Sequence, residues 1–437
     1  MSSRWTAPGS GPAGEAPSLV GAEWVVEVGP VAHGGHCVAR HEGQVVFVRH
    51  TLPGERVRVR VTEGQVGDRF VRADAIEIVE ASPHRVPAPC PYAVPGGCGG
   101  CDFQHVDVAH QRLLKRDVIR EQLERLGGLD VPVEVRAVPG ETDGLRWRTR
   151  VEFAVDGQGH AGLRRHRSHE VVPLEDCLIA TDGVIGSGVL DTAWQGVSAV
   201  DVIDADHPDE PVLVPITRDH GRDEVRHHGP GAAKRTALAG GLVGQLVRDG
   251  SWTAEYVVAA RGFWQVHPGA ADTFLSRVCA LLEARPGDRV LDLYAGSGLF
   301  TRRLGELVQP GGVVLGVEAD PDAVESGRLN TADLANVEWR ANRVDREVRS
   351  LGSQGISADL VVLDPPRTGA GKDVVTGLAA LGPRRIVYVA CDPAALARDL
   401  RIAGAQGYAV TAIEAYDAFP MTHHVECIAV LEPHKHR

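Results

Sequence analysis

The chain of 437 residues has no apolar run approaching the ~18 residues of a membrane span. Its first twenty residues are small and polar, with Gly and Pro, and lack the apolar core of a secretion signal. Positive charge is also short: 46 Lys and Arg stand against 58 Asp and Glu, a formal net charge of −12. That deficit excludes a protein that coats nucleic acid by bulk charge, and leaves room for a local basic groove. There are only eight cysteines, and in a long chain without an export signal they are no disulfide framework. A cytoplasmic protein with no membrane partner is expected. Hydrophobic residues make up 43%, enough for packed cores, and the length suits two to three domains of roughly 100–200 residues.

Residues 1–20 read as a disordered tail. Over 21–80 the pattern predicts short alternating strands at Glu23–Val28, Gln44–Val48, Arg56–Val61 and Ala73–Val79. Turns at Gly34-Gly35, Pro53-Gly54 and Gly64–Gly67 give the spacing of a small all-β barrel. Val57, Val59 and Val61 alternate with Arg56, Arg58 and Arg60, so one strand shows an arginine stripe outward. The stripe is either a solvated face or an RNA contact. The segment VAHGGHCVARHEGQVVFVRHTLPGERVRVRV resembles a TRAM domain, an OB-like RNA-binding barrel.

Residues 81–260 form the expected central, β-rich domain. Ala81–Gln104 is rich in Pro, Gly and Cys; Val108–Leu126 then shows helical spacing, stopped by Gly127-Gly128, and this helix is expected to pack on the catalytic domain. Between Leu145 and His169 stand Arg146, Arg148, Arg150, Arg164, Arg165 and Arg167, a basic stretch in an acidic chain, expected to contact phosphates. Residues 181–250 carry little signal. From 261 to 437 a helix at 271–284 is followed by strands alternating with helices, which predicts an α/β, doubly wound, mostly parallel sheet.

Three motifs fall where strands of that sheet end. Asp292-Leu-Tyr-Ala-Gly296-Ser-Gly298 is a glycine turn between strand and helix, with Glu318 closing the next strand. Glycine lets the backbone approach a ligand, the helix N-terminus faces it, and the acid can accept both ribose hydroxyls. A dinucleotide site would place a third glycine where Thr301 stands. The motif instead looks like motif I of class I S-adenosylmethionine (SAM) methyltransferases. Leu363-Asp364-Pro365-Pro366-Arg367 holds an acid at the sheet edge; Arg367 replaces the aromatic that amino-group methyltransferases use there. Cys391, in VACDP, stands before a helix expected to lower its thiol pKa. A thiolate has a use in such an enzyme. Adding it to C6 of uracil makes C5 nucleophilic, and a base must then take the C5 proton. Glu426, in MTHHVECIAVLEP, can be that base.

Together these motifs resemble the bacterial RNA uracil-5-methyltransferase family, which methylates tRNA or large-subunit rRNA. The resemblance implies a class I methyltransferase fold and SAM as cofactor. It places Gln265, Tyr294, Gly296, Glu318 and Asp364 around SAM, Cys391 as nucleophile and Glu426 as base. A TRAM domain favours 23S rRNA over tRNA, and a monomer is expected. The trio Cys90, Cys98 and Cys101, with distant Cys177, can close a zinc site or hold a [4Fe–4S] cluster. Spacing alone leaves both open; the resemblance favours the cluster, although seven residues separate Cys90 from Cys98 where the family commonly has five. Cys37, Cys279 and Cys427 are read as structural. Two rivals remain. Radical-SAM methylthiolation needs a C-x3-C-x2-C motif that the chain lacks, and a non-catalytic RNA-binding or assembly factor would not need Cys391, Glu426 and Asp364.

Overall fold

The computed structural model describes residues 16–140, 143–217 and 241–434. Two compact units are present, Met1–Arg85 and Val86–Arg437. Among the described residues no helix is long and apolar enough to cross a membrane.

In the first unit β1 (Glu23–Val31), β2 (Cys37–His41), β3 (Gln44–Arg49), β4 (Arg56–Glu63) and β5 (Phe70–Glu80) close a barrel in the order β1-β2-β3-β5-β4. Period-two alternation drives it: Val57, Val59 and Val61 fill the interior while the arginines between them face out. β2 is the strand that sequence reading missed; five residues between glycine turns carry too little pattern. The arginine stripe is present and neutralised, because Arg56, Arg58 and Arg60 pair with Glu80, Glu77 and Glu23. Such exposed pairs add little to stability, but they remove the uniform positive face. Part of the expected disordered tail is ordered: Ser18 bridges Gln65, and Val66 N–H donates to Pro17 O at 2.9 Å. Residues 1–15 lie outside the described residues. Cys37 is buried and its thiol donates to Thr51 O, a structural role.

The second unit opens with the cysteine-rich loop and α1 (Val108–Gln122), which a π turn carries to Gly127 before Gly128 ends it in the left-handed region at φ 66°. α1 buries Gln111 and Lys115 beside Leu114 and Ile119, so its inner face is partly polar. Next come β6 (Val135–Ala137), β7 (Arg150–Val155), β8 (Ala161–Arg164), β9 (Val171–Pro173), the short α2 (Asp182–Gly186), β10 (Ala199–Ile203) and β11 (Val212–Ile216). A five-stranded sheet runs β11-β10-β7-β8-β9, and β12 (Leu242–Asp249) pairs with β13 (Trp252–Ala259) as a ribbon. The stretch without signal in sequence thus supplies two strands of this sheet and all of β12.

The main layer alternates α3 (Ala270–Leu282), β14 (Arg289–Leu293), α4 (Leu299–Leu307), β15 (Val313–Glu318), α5 (Pro321–Asn330), β16 (Val337–Ala341), α6 (Val344–Ser353), β17 (Leu360–Leu363), α7 (Gly371–Leu381), β18 (Arg385–Ala390) and α8 (Pro393–Ala405). β19 (Tyr408–Asp417) and β20 (Glu426–Pro433) complete it. The eight-stranded order is β16-β15-β14-β17-β18-β20-β19-β6; β16 through β18 are parallel, and β20 runs antiparallel to both β18 and β19. β14 and β17 are buried on both faces, as a covered parallel sheet requires. Ile119 and Leu123 at the end of α1 share an apolar cluster with Leu396 and Leu400 of α8. The central strands and the main sheet lie in one compact unit, Val86–Arg437.

Candidate active site

β14 ends at Leu293, and Tyr294 (φ 59°), Gly296 (φ 53°) and Gly298 (φ 91°) turn the chain into α4. At Gly298 an added Cβ would stand 3.1 Å from the Trp339 ring, while at Gly296 it would meet no heavy atom within 4 Å. The first glycine position is filled by packing; the second leaves open space beside the turn. Glu318, the last residue of β15, accepts Gly296 N–H at 3.1 Å, Ala319 N–H at 2.6 Å and Asp320 N–H at 2.9 Å. Beneath the turn Asp292 is buried and accepts the Thr301 hydroxyl at 2.5 Å; burial, with Glu318 nearby, pushes its pKa up to about 7. Tyr294 is half-buried, and burial followed by the charges of Asp345, Asp399 and Glu318 pushes its phenol up to about 12. Gln265 is buried between β13 and α3, after the buried Trp264.

Asp364 leaves β17 with its N–H donating to Leu293 O at 3.2 Å. Enclosure, with Asp292 beside it, pushes its carboxyl up to about 7. Cys391 follows β18, and Asp392 caps α8 by accepting Ala395 N–H at 2.7 Å. β18 pairs with β20 in the register Ala390↔Cys427, so Cys391 is aligned with Glu426. Glu426 is buried, its Oε2 has no hydrogen-bond partner, and burial with Asp364 pushes its pKa well above the carboxylate range. Cys391 is half-buried. Burial, then the charges of Glu426 and Asp364, push its thiol up to about 12. This reverses the sequence expectation of a lowered pKa: acids gathered around the thiol oppose its ionisation. Arg367 acts against them, favouring the ionised forms of both Cys391 and Glu426. Sequence reading noted Arg367 only as a departure from another motif; its part in the site needed the fold.

Cys101 lies within electrostatic reach of Cys177, Cys98 and Cys90, so one loop and one distant residue bring four thiols together. Burial raises the thiols of Cys101 and Cys177. Gly99 packs so closely on the 164–166 turn that a Cβ would stand 2.6 Å from His166 Cα, and Gly99 N–H donates to Arg164 O. Among the described residues no group of three or more His, Cys, Asp or Glu stands close enough to hold a metal ion, so neither the zinc site nor the [4Fe–4S] cluster is shown. Of the remaining cysteines, Cys427 is buried and Cys279 half-buried.

The basic stretch divides. Arg146 is tied to Asp176 at 2.6 Å, Arg148 to its own strand at Arg150 O, and Arg150 is largely buried, donating to Ala260 O and Gly262 O. Arg146 and Arg150 are engaged within the fold, which departs from the expected phosphate surface. Arg164 and Arg167 are exposed, and Arg165 pairs with Glu170. Phe263, 73% exposed just beyond the carbonyls that Arg150 holds, is an aromatic that sequence reading passed over inside GFWQVH.

Residues 17–76 match the TRAM domain family, and residues 232–434 match the tRNA (uracil-5-)-methyltransferase family. A protein of Streptomyces avermitilis named an uncharacterized RNA methyltransferase is 49% identical over 431 residues, covering 95% of this chain and 99% of the relative. One of Streptomyces coelicolor with the same description is 49% identical over 439 residues, covering 97% and 95%. Among solved structures, the Pyrococcus abyssi tRNA (uracil-54, C5)-methyltransferase in complex with S-adenosyl-L-homocysteine shares the fold, at a TM-score of 0.66 and 22% identity over 93% of this chain and 99% of that one. The doubly wound sheet, the TRAM barrel and these likenesses agree: the chain belongs to the RNA uracil-5-methyltransferase family and is a SAM-dependent RNA methyltransferase.

Proposed function

We propose that the chain methylates C5 of a uridine in structured RNA, with Cys391 adding to C6 and Glu426 removing the C5 proton. The observation that carries this reading is the alignment of Cys391 with Glu426 across β18 and β20, beside Asp364 and Arg367. Bound SAM supplies an electrophilic methyl group on a positively charged sulfur. The residues present fit it: Gly296 leaves space at the turn, and Glu318 keeps carboxylate lone pairs for ribose hydroxyls beyond its backbone bonds. Gln265, Tyr294 and Asp364 would complete the pocket.

Arg367 favours the thiolate of Cys391 against the neighbouring acids. Sγ bonds to C6 and drives the ring electrons toward C5 and O4; C5 then bonds the methyl carbon as the methyl–sulfur bond breaks, the sulfur keeping that electron pair and leaving as a neutral thioether. Glu426, whose ionised form Arg367 favours, then takes the C5 hydrogen as a proton. The electrons return to the C5–C6 bond and expel Sγ, leaving Cys391 free. Exposed Phe263 offers a face on which a base can stack, and Arg164 and Arg167 offer charge for phosphates. On the strength of the TRAM domain we place large-subunit rRNA ahead of tRNA.

On the family resemblance, Cys90, Cys98, Cys101 and Cys177 would hold a [4Fe–4S] cluster. The cluster would cross-link the loop to the central sheet. Methyl transfer needs no electron, so no step passes through it.

Tritiated SAM and total RNA from cells lacking this protein test the reading. Label should enter 5-methyluridine and map to one site in large-subunit rRNA. Label in tRNA would move the substrate, and label absent from uridine C5 would overturn the proposal.

A further inference from the structure

The loop between β19 and β20 carries Glu426 at its end, and the cysteine-rich loop grips it. Asp102 and Phe103 N–H both donate to Met421 O at 2.9 Å, and Met421 N–H donates to Gln111 Oε1 at 2.8 Å. Met421 sits at φ 64°, a left-handed conformation that a long side chain adopts only when its surroundings enforce it. Asp102, next to Cys101, then reaches further. Its Oδ2 accepts both the His423 backbone N–H at 3.1 Å and His423 Nδ1–H at 2.6 Å. The His423 ring lies 4.1 Å from that of His424, which also meets Phe419 edge-on. His424 Nε2 is 3.5 Å from Arg367 Nη2. A guanidinium can only donate, so Nε2 must be the accepting nitrogen of a neutral ring. His424 is indeed held neutral, its pKa lowered to about 3 by burial, then by His423 and Arg367.

We infer that Asp102 is a positioning residue for the methyl transfer. It fixes His423, against which the tilted His424 ring packs with Nε2 turned to Arg367, and so aims the guanidinium at Cys391 and Glu426. The cysteine-rich loop thereby sets the geometry of the reacting thiol through hydrogen bonds and ring contacts. The inference rests on Cys391 being that thiol, as proposed above.

The test is the rate at which iodoacetamide alkylates Cys391 in the full-length protein, read from the Cys391 peptide by mass spectrometry at one fixed pH. Asp102→Ala should slow alkylation roughly tenfold, the change in thiolate fraction for one pKa unit. Arg367→Ala should slow it as much, and the double variant should be no slower than Arg367→Ala alone, since the two act through one contact. Asp102→Asn keeps an acceptor oxygen and should recover part of the rate. His424→Gln, which leaves the cysteine-rich loop untouched, should reproduce the Asp102→Ala loss. SAM affinity by calorimetry checks folding; if Asp102→Ala no longer binds SAM, His424→Gln decides alone. In folded variants kcat for methylation should fall in the same order with KM for SAM unchanged. Wild-type alkylation rates in Asp102→Ala and His424→Gln, or losses that multiply in the double variant, would overturn the inference. Covalent capture of 5-fluorouridine RNA by the wild type tests the role of Cys391 separately.

Discussion

Cys391 and Glu426 face each other across an antiparallel strand pair, one just past the end of β18 and the other at the start of β20. β18 continues the parallel order of β14 to β17 and β20 does not, so the pair exists only because β20 enters the sheet in reverse beside β18. A thiol and a carboxyl at one register position can address the two adjacent carbons of a pyrimidine.

That geometry separates two variants. Cys391→Ala should abolish methylation and form no covalent RNA adduct. Glu426→Gln should still add and methylate but stall at elimination, accumulating a denaturant-resistant protein–RNA adduct that carries the methyl group. Denaturing gels with labelled RNA read both outcomes. Absence of adduct with Glu426→Gln and with 5-fluorouridine RNA, while the wild type methylates C5, would remove Cys391 from the mechanism.

Glu318→Ala deprives the ribose hydroxyls of a charged acceptor and leaves the N–H groups of Gly296, Ala319 and Asp320 to solvent. Losing hydrogen bonds to a charged group costs about 1.5–3 kcal/mol, roughly ten- to a hundredfold in affinity for SAM. Calorimetry checks it, and an unchanged Kd would take Glu318 out of the pocket.

Asp292 and Asp364 have folded-state pKa values pushed up to about 7. An unfolded aspartate titrates near 3.9, so between about pH 4 and 7 the folded chain binds more protons than the unfolded one. Their contribution is therefore full at low pH and is lost as pH rises through about 7. Other carboxylates, such as Asp288 held down by its salt bridge to Arg384, work in the opposite direction. The clean measurement is a difference: Asp292→Asn, which can still accept the Thr301 hydroxyl, should gain Tm relative to wild type as pH rises from 5 to about 8. A pH-independent difference would contradict the assignment.

Lys115 is fully buried on α1 and bonds Asp417 and Phe419 O. Lys115→Met leaves the Asp417 charge uncompensated and should cost about 3–5 kcal/mol in urea unfolding. Adding Asp417→Leu should recover much of that loss. No recovery would show that the Phe419 bond, rather than the ion pair, carries the contribution.

Protein purified without oxygen should be brown, with about four irons per chain if Cys90, Cys98, Cys101 and Cys177 bind a [4Fe–4S] centre. Cys177→Ala should lose iron and stability. Colourless protein with stoichiometric zinc would overturn the cluster.

The sequence by itself determined the parts of this protein whose signals are local. Apolar runs that end in DLYAGSG, LDPPR and VACDP announced strands of a parallel sheet with chemistry at their ends, because a βα turn needs its glycine, proline or cap within a few residues. Alternating Val57, Val59 and Val61 announced a barrel strand in the same way. Tertiary structure decided whatever depends on partners distant in the chain. Glu23, Glu77 and Glu80 neutralise the barrel arginines, Asp176 and the 260–262 carbonyls claim Arg146 and Arg150, and burial, then neighbouring acids, raise the Cys391 thiol that its helix alone was expected to lower. The path from Asp102 through His423 and His424 to Arg367 joins segments some 321 residues apart in the chain. Side-chain charge and hydrogen bonding act through space over a few ångströms, and only the folded chain sets which groups lie within that reach.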